Sequence, residues 1–359
     1  MAYLIKDVIS QFDLDFKVAP YGNGHINDTY VADCEPRYIL QRINSNVFKN
    51  PEEVMENIAA VCDFLRGKIA AEGGDPDRET LSLIRTRDGK NYYKASDEDY
   101  FRVYKFIEDA YSVDIPENHE QFYSAARAFG KFQRLLSDFP AENLHETIVD
   151  FHNTEKRYEN FENAVKADAK KRLKTVADEV EFVRSRKGIT TLITDCMEKG
   201  IIPLRVTHND TKLNNVMLDS KSDAGLCVVD LDTVMPGSLL YDFGDALRTG
   251  ANTAAEDETD LSRVIFDLGM FEAFAKGFLE ELCGKITSEE IKLLPMSAII
   301  MTFECGMRFL TDYLEGDTYF KTHRENHNLD RARNQFKLVE DMEKKIPEME
   351  TIIKKLLLK

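Results

Sequence analysis

Residues 1–107 carry short apolar, β-favouring runs that are separated by polar turns. These runs predict strands within 21–31, 37–43, 81–86 and 100–107. One helix interrupts them: Asn50 is suited to cap it, Pro51 fits its first turn, and it extends to about Lys68. The dipeptide Asn23-Gly24 predicts a tight hairpin turn, because a type I′ turn needs positive φ at both central residues.

After Glu108 the apolar residues recur at i, i+3 and i+4, which is the spacing of amphipathic helices. This spacing predicts helices within 118–138, 154–186, 189–199, 260–282, 287–315 and 328–358. Strands within 204–233 interrupt the helices. We therefore predict an α+β fold with two lobes and a cleft between them. Residues 1–107 form the smaller, strand-rich lobe, and residues 108–359 form the larger, mainly helical lobe.

Composition and charge narrow the classes of partner. The chain has 359 residues, enough for about two domains with cores of their own. Its 47 basic and 64 acidic residues give a net charge of −17, which argues against nucleic acid as a partner.

The six cysteines form no C-x-x-C pair, the amino terminus lacks a signal pattern, and no apolar run approaches the length of a membrane span. We expect a cytoplasmic monomer with reduced thiols and no membrane partner.

The segment Arg205–Leu218 carries the residues with the clearest chemistry. Two apolar runs bracket a polar loop that contains His208, Asp210 and Asn215, and a further apolar run ends at Asp230. Phosphoryl transfer from a nucleotide needs one acid at the attacking hydroxyl, and an amide and a second acid that hold Mg²⁺. A lone loop aspartate usually caps a turn, but this ordered set predicts Asp210 as the catalytic base, with Asn215 and Asp230 as metal ligands. We assign His208 a structural role.

A second aspartate motif in this region is Asp242-Phe243-Gly244, which spells the metal-binding Asp-Phe-Gly of protein kinases. In those kinases the metal aspartate closely follows the catalytic-loop asparagine. Asp230 lies 15 residues after Asn215, whereas Asp242 lies 27 residues after it. We therefore predict that Asp242 braces the catalytic loop through hydrogen bonds, and we treat Asp232 as a candidate second metal ligand. Lys212 has two interpretations: a cation directed at the transferring phosphate, or a solvated loop lysine.

The turn Gly22-Asn23-Gly24-His25 also has two interpretations. Its backbone N–H groups are suited to cover nucleotide phosphates, but two glycines are equally expected in a plain tight turn. Its position at the start of the smaller lobe, in a chain that carries the Asp210 set, favours the phosphate role.

A third region of interest is the end of the helix predicted within 287–315. Glu304, Arg308 and Asp312 lie on one face of it at i, i+4 and i+8. They form either a surface ladder of ion pairs or a holder for an arginine that binds sugar hydroxyls in the cleft. Gly316 is predicted to end the helix, and Tyr319-Phe320 to form a wall of the pocket.

Together these segments resemble the aminoglycoside phosphotransferase and choline kinase group of small-molecule kinases, and within it the bacterial N-acetylhexosamine 1-kinases. The matching stretches extend over almost the whole chain: 20–27, 37–41, 102–108, 205–215, 230–237 and 304–320. The resemblance implies a protein-kinase-like fold. It also implies that the enzyme uses ATP and Mg²⁺ to phosphorylate the anomeric hydroxyl of N-acetylglucosamine or N-acetylgalactosamine.

The resemblance implies roles for individual residues as well. Asp210 is the base on this comparison too, and Asn215 and Asp230 bind Mg²⁺. The residues at sugar-contacting positions are His25, Asp210, Arg308 and Tyr319. The nucleotide-binding candidates are Gly22, Gly24, Gln41, Phe106, Ile107 and Glu108, of which the last three belong to the hinge that receives adenine.

One departure from kinases in general concerns the third strand. A lysine there usually contacts the nucleotide phosphates and pairs with a helix glutamate, but this chain has Gln41. Arg42 points to the opposite face of a regular strand and is a poor substitute. The resemblance includes the glutamine, so we treat it as a trait of the group. The phosphate-binding cation stays unassigned, with Glu53 and Glu56 as candidates for the helix acid.

Two alternatives to a sugar kinase stay open. The first is a related kinase for choline, an aminoglycoside or another sugar. A cationic substrate needs an acid-lined pocket, and Arg308 argues mildly against one. The second is a pseudokinase that binds nucleotide without turnover. Its only support is Gln41, and the intact set of Asp210, Asn215 and Asp230 speaks against it.

Overall fold

The computed structural model describes residues 4–22 and 26–358. Its α-helices are α1 (Ile5–Ser10), α2 (Pro51–Ala71), α3 (Pro76–Glu79), α4 (His119–Leu135), α5 (Thr154–Ala167), α6 (Ala177–Ser185), α7 (Leu192–Glu198), α8 (Leu239–Gly250), α9 (Leu268–Glu281), α10 (Ser288–Glu315) and α11 (His327–Leu357). Its strands are β1 (Val18–Pro20), β2 (Asp28–Ala32), β3 (Tyr38–Asn44), β4 (Leu83–Ile84), β5 (Tyr93–Lys94), β6 (Asp99–Lys105), β7 (Ala110–Tyr111), β8 (Arg205–Thr207), β9 (Val216–Asp219), β10 (Gly225–Val228) and β11 (Met235–Gly237).

The strands β1 to β6 form one antiparallel sheet, which we call the amino-terminal sheet. Its order is β1-β2-β3-β6-β4, with β5 paired to β6. Because side chains alternate along a strand, each face has its own core. Leu40, Phe101 and Val103 pack with α1 on one face. Ile43 and Tyr100 belong to the core shared with α2 on the other face, which is therefore the face that looks toward the rest of the molecule.

The chain after β7 is mainly helical, and two small sheets are set into it. These sheets have the orders β10-β9-β7 and β11-β8, and they support the polar loop that precedes β9. Helix α4 packs against α9, while α10 packs along α5, α8 and α11. The helix α10 corrects our expectation about apolar runs, because its length and composition suffice for a membrane span. However, 78% of its apolar window is buried inside the protein, where it forms part of the core.

The predicted α+β architecture, with a small antiparallel sheet followed by a mainly helical region, is confirmed. Thr287 caps α10, and Gly316 ends that helix in the left-handed conformation with φ of 108°, as predicted. The chain crosses from β6 to β7 over residues 106–109, close to the boundary that we placed after residue 107. That domain boundary stays a prediction.

Several local predictions were wrong. The helix expected over 154–186 is broken after α5, because Asp168 adopts a left-handed conformation and accepts a hydrogen bond from the Leu173 N–H. Asn50 does not cap α2 with its side chain; its amide donates to Glu53 instead. The strand expected over 81–86 shortens to β4. These differences depend on neighbouring side chains, which periodicity does not describe.

Candidate active site

The loop between β8 and β9, residues 208–215, is held in place by a carboxylate from the first turn of α8. Asp242 accepts hydrogen bonds from the backbone N–H groups of His208, at 3.0 Å, and Asn209, at 2.8 Å. It also accepts one from the Gln133 side chain at 2.7 Å. Burial raises the pKa of Asp242. The hydrogen bonds that we predicted between Asp242 and this loop are therefore present.

Two further groups support the catalytic loop from behind. His208 is fully buried, with its Nε2 atom 2.8 Å from the Val229 carbonyl oxygen and its ring edge-on to Phe129. Asp245, one helical turn after Asp242, accepts a hydrogen bond of 3.0 Å from the Thr211 N–H. The α8 carboxylates thus bind the backbone on both sides of residue 210.

Asp210 lies at the centre of a small polar group. The Asn215 amide donates to the Asp210 carbonyl oxygen at 2.8 Å and to its Oδ2 atom at 3.2 Å. The Lys212 Nζ atom lies 2.8 Å from Asp210 Oδ1, and this carboxylate raises the pKa of Lys212. Lys212 is thus paired with Asp210 while 43% of its side chain is exposed, so both interpretations of Lys212 stay open. Asp210 and Asn215 are brought together as the sequence predicted.

Asp230 follows β10 and adopts a left-handed backbone conformation with φ of 58°. The residue is exposed to solvent, but its carboxylate has many protein atoms around it. Loss of surrounding water, together with the nearby carboxylates of Asp232 and Asp210, raises the pKa of Asp230 to about 7. Two of these groups, Asp210 and Asp230, together with the Asn215 carboxamide, offer the oxygen ligands that a divalent cation prefers.

These residues suit an open site in which a nucleotide completes the coordination of the metal, and not a site that protein ligands close by themselves. Among residues 4–22 and 26–358, no group of three His, Cys, Asp or Glu side chains converges on one point. Mg²⁺ in kinases is held by few protein ligands, and substrate phosphates and water complete its coordination. Asp232 is a poor second ligand here, because its Oδ2 atom accepts a hydrogen bond from Asn27 and its Oδ1 atom is paired with Arg102.

The predicted nucleotide-binding residues are only partly described. Gly22 has a φ of 75° at the start of the glycine turn, whereas Gly24 and His25 lie outside the described residues. In the hinge, the Phe106 ring lies beneath the Arg37 guanidinium, 3.8 Å from ring centroid to Cζ, and Ile107 is buried.

The Phe106 N–H donates to the Arg37 carbonyl oxygen, and the Glu108 carboxylate forms an ion pair with Arg37. The side chains of this hinge are therefore engaged in contacts within the protein, so a nucleotide would contact the hinge through backbone groups. The hinge function itself stays a prediction.

Gln41 is engaged in a network within the amino-terminal sheet. Its amide donates to Thr29 Oγ1 at 3.0 Å, and its Oε1 atom accepts from Arg102 Nε at 3.0 Å. Neither candidate helix acid contacts it: Glu53 accepts from Asn50, and Glu56 pairs with His145. The lysine–glutamate pair of other kinases therefore has no counterpart between β3 and α2 in the described part of the chain.

Helix α10 contributes to a cavity of about 220 Å³, which we call the acceptor pocket. It is lined by Arg157, Asn160, Asn163, Arg308, Thr311, Asp312, Glu315, Tyr319 and Phe320. The Arg308 guanidinium lies over aromatic rings, with Cζ 5.3 Å from the Phe151 centroid and 5.6 Å from that of Phe320. The predicted aromatic wall is present. Arg157 donates two hydrogen bonds to the Phe151 carbonyl oxygen, which brings a second guanidinium to the same pocket.

The alternative of a surface ion-pair ladder on α10 is wrong. Asp312 is buried and accepts N–H groups of residues 318, 319 and 320, so it shapes the pocket wall. Glu304 is buried as well and accepts hydrogen bonds from His152 and Thr154. Burial opposes charge on Glu304, but His152 and Arg308 outweigh it and lower the pKa of Glu304. Neither acid forms an ion pair with Arg308 among the described residues.

His152 connects the acceptor pocket to the catalytic loop. Its Nδ1 atom lies 2.8 Å from Glu304 Oε1, and its Nε2 atom lies 3.1 Å from the Asn209 carbonyl oxygen. The ring of His152 therefore bridges Glu304 on α10 and the backbone of Asn209. Since Asn209 precedes Asp210, this bridge fixes the position of Asp210 relative to α10.

The sequence interpretation missed His152, Arg157 and Arg102. A buried strand with an arginine on its inward face was the one signal available for Arg102. His152 and Arg157 lie between predicted helices or at their start, where local pattern gives no indication of what they contact.

Comparison with known proteins identifies the family. A model described as the phosphotransferase enzyme family matches residues 17–280. An aminoglycoside phosphotransferase from Alicyclobacillus acidocaldarius is 13% identical, with a TM-score of 0.65 over 99% of this chain and 98% of that one.

Two further solved structures share the fold. A microcompartment-associated aminopropanol kinase is 14% identical, with a TM-score of 0.61 over 96% of this chain and 98% of that one. An amicoumacin kinase in complex with AMP-PNP and Ca²⁺ is 13% identical, with a TM-score of 0.58 over 92% and 88%. Since the family model covers most of the chain, including all described strands and the catalytic loop, the protein belongs to the phosphotransferase enzyme family and is a small-molecule phosphotransferase.

Proposed function

We propose that the protein uses ATP and Mg²⁺ to phosphorylate the anomeric hydroxyl of an N-acetylhexosamine, giving the sugar 1-phosphate. The observation that carries this proposal is the pair of arginines in the acceptor pocket, Arg157 and Arg308. Among the described residues, neither guanidinium has a carboxylate within 4.0 Å, and the Arg308 guanidinium lies over aromatic faces. Planar donors and aromatic faces suit the hydroxyl and amide oxygens of a neutral sugar.

The same two arginines disfavour the amine substrates handled by other members of the fold. A cation placed about 5 Å from a guanidinium is repelled by on the order of 1 to 3 kcal/mol at an effective dielectric constant of 20 or more. Asp312, the fully buried acid of the pocket, has its oxygens occupied by backbone N–H groups and by Asn328. Glu315 also lines the pocket but is exposed to solvent, so choline, aminopropanol and aminoglycosides would face two guanidinium groups beside one solvated carboxylate.

The reaction that we propose needs a base and a cation at the reacting hydroxyl. Asp210 accepts the proton of the anomeric hydroxyl, whose oxygen forms a bond to the γ-phosphorus while the bond to the β–γ bridging oxygen breaks and ADP leaves. Lys212 lies beside this carboxylate and offsets negative charge that develops there. His152 keeps Asp210 aligned with the pocket through Asn209.

The metal and nucleotide assignments follow the same logic. Asn215 and Asp230 would hold Mg²⁺, which when bound neutralises charge on the β- and γ-phosphates. The candidates for nucleotide contact are the hinge at 106–108, the turn with Gly22 and Gly24, and Gln41. The structural neighbour solved with AMP-PNP and Ca²⁺ supports a nucleotide with a divalent cation. A monomer in the cytoplasm remains our expectation.

The test is an assay of ADP release across a panel of acceptors: N-acetylglucosamine, N-acetylgalactosamine, mannose, choline, aminopropanol and kanamycin. We expect turnover with an N-acetylhexosamine and a 1-phosphate product by ³¹P NMR. A 6-phosphate product would move the reaction to another hydroxyl, and turnover with an amine alone would overturn the sugar assignment. Turnover with none of them, together with nucleotide binding, would favour the pseudokinase alternative.

We expect Arg308→Met to raise the KM for the sugar about 10- to 100-fold while changing the KM for ATP little, because hydrogen bonds from a charged donor contribute about 1.5 to 3 kcal/mol. Steady-state kinetics with each substrate varied in turn measures this split. Arg263→Met, which removes an exposed arginine paired with Glu258, is the matched control. An unchanged KM for the sugar would remove Arg308 from the acceptor site.

A further inference from the structure

The amino-terminal sheet carries a buried arginine at an unexpected position. Gln41 on β3 and Arg102 on β6 are direct partners in the antiparallel register, so their side chains lie on the same face of the sheet. The Arg102 Nε atom donates to Gln41 Oε1 at 3.0 Å. Position 41 is where other kinases have their phosphate-directed lysine. The positive charge is therefore present on this face, one strand away from its usual place.

The environment of Arg102 is built to hold a charge out of water. Its side chain is 1% exposed. The guanidinium Cζ atom lies 5.2 Å from the Tyr104 ring centroid, and the Nη1 atom packs on the Met55 sulfur of α2. Its Nη1 atom lies 2.5 Å from Asp232 Oδ1, and the Asp232 side chain is only 4% exposed. An isolated buried charge is unfavourable, so this arginine depends on its pairing with Asp232.

The pairing joins the amino-terminal sheet to the candidate metal site. Asp232 lies two residues after Asp230, and its other carboxylate oxygen accepts a hydrogen bond from Asn27, which precedes β2. The same Asn27 side chain accepts from the Asn44 N–H at the end of β3. Two groups on the sheet thus hold both oxygens of Asp232. These contacts attach the segment Asp230–Asp232, which we call the carboxylate turn, to the sheet.

We propose that Arg102 is the positioning cation of the nucleotide–metal site, replacing the strand lysine from the neighbouring strand and taking Asp232 in place of a helix glutamate as its partner. In this arrangement Arg102 sets the orientation of the carboxylate turn, and through it the orientation of Asp230, before Mg²⁺ and nucleotide arrive. It rests on the proposed use of ATP and Mg²⁺ but not on the identity of the acceptor.

The structure also explains why a lysine at position 41 is absent. The helix α2 turns Met55, and no acid, toward Arg102, because Glu53 and Glu56 pair elsewhere. A lysine on β3 would lack the carboxylate that anchors it in other kinases. Gln41 instead accepts from Arg102 and donates to Thr29, so it fixes the orientation of the guanidinium.

The experiment exchanges the two side chains. We expect Arg102→Gln to weaken binding of a fluorescent ATP analogue with Mg²⁺ about 10- to 100-fold, since the buried ion pair with Asp232 at the carboxylate turn is lost. The exchanged variant Gln41→Arg/Arg102→Gln restores the guanidinium on the same face, and we expect it to recover at least about tenfold of that loss. Both titrations need no acceptor and no turnover.

Three further variants test whether Arg102 positions the carboxylate turn or only stabilises the fold. Arg66→Gln, which removes an arginine that holds Asp77 and Ser82, should lower the unfolding temperature without changing nucleotide affinity. Asp232→Asn should weaken binding as Arg102→Gln does, and the double variant should be no weaker than either single variant. If Arg102→Gln does not fold, Arg102→Lys takes its place in the cycle.

Two results would overturn the inference while leaving the proposed function intact. One is normal Mg²⁺-nucleotide binding by Arg102→Gln in a protein whose wild type binds. The other is an additive loss in the double variant, which would mean that Arg102 and Asp232 act separately. A wild type that fails to bind Mg²⁺ and nucleotide would instead contradict the proposed function itself.

Discussion

Asp210→Asn is expected to lower kcat about 10³-fold while the protein stays folded and still binds nucleotide. The asparagine has nearly the same shape, and its side chain can keep a contact with Asn215, which donates to Asp210 in the wild type. It cannot accept the proton of the attacking hydroxyl, and general-base catalysis contributes about 10²- to 10⁴-fold to a rate. It also removes the charge that Lys212 faces at 2.8 Å, so some loss of alignment at the reaction centre adds to the effect.

The measurement is ADP release with the accepted sugar, beside nucleotide titration and thermal unfolding. Asp195→Asn is the matched control, because Asp195 forms an exposed i,i+4 ion pair on α7 and the same chemical change there should leave kcat unchanged. Near-normal turnover by Asp210→Asn would show that the base had been assigned to the wrong residue. A loss confined to KM would assign Asp210 to substrate binding alone.

The features that the sequence predicted are those with local signals. The catalytic loop lies between two apolar runs, and its polar residues have the order and spacing that phosphoryl transfer needs, so Asp210, Asn215 and Asp230 could be assembled in advance. Asp242 could be separated from the metal position by counting residues, and the structure places it beneath the loop. The end of α10 at Gly316 was also predicted.

The features that were missed depend on contacts between distant segments. His152 contacts Asn209 and Glu304, which lie 57 and 152 residues further along the chain, and no local pattern indicates that a single imidazole joins them. Arg102 occupies an inward position of an apolar strand, but its partner Asp232 is supplied by another part of the fold. Pairings of this kind are set by topology, which fixes register and depth only after the chain has packed.

The difference between local signals and distant contacts also explains why no cation could be assigned from the sequence in place of the strand lysine. A search restricted to β3 finds Gln41 and the wrongly oriented Arg42, whereas the β3–β6 register places Arg102 directly beside Gln41. A charge can therefore be placed on a given face of a sheet from either of two paired strands. In this protein the site requires a positive charge on that face, whichever strand carries it.

Asp242→Ala is expected to destabilise the protein by about 3 to 6 kcal/mol and to lower kcat at least about 100-fold. The change leaves the buried N–H groups of His208 and Asn209 without a partner. It also removes one of the two acceptors of the Gln133 amide, which keeps its hydrogen bond to the Val206 carbonyl oxygen. Each unpaired buried group costs about 1 to 3 kcal/mol. Asn209 also has a positive φ of 67°, which depends on its surroundings, so the loop should relax and carry Asp210 away from the cleft.

Thermal unfolding and kcat measure the two consequences separately. We expect the unfolding temperature to fall by about 5 °C or more, and Asp195→Ala to leave it within about 1 °C. Asp242→Asn should lie between wild type and Asp242→Ala, because its carbonyl oxygen still accepts one hydrogen bond while its NH₂ group faces a donor. A stable Asp242→Ala protein with normal kcat would mean that His208, Asp245 and Thr211 hold the loop without Asp242. If kcat falls although the protein stays folded at the assay temperature, Asp242 acts by fixing the geometry of the catalytic loop. The three N–H donors that converge on its carboxylate indicate this role.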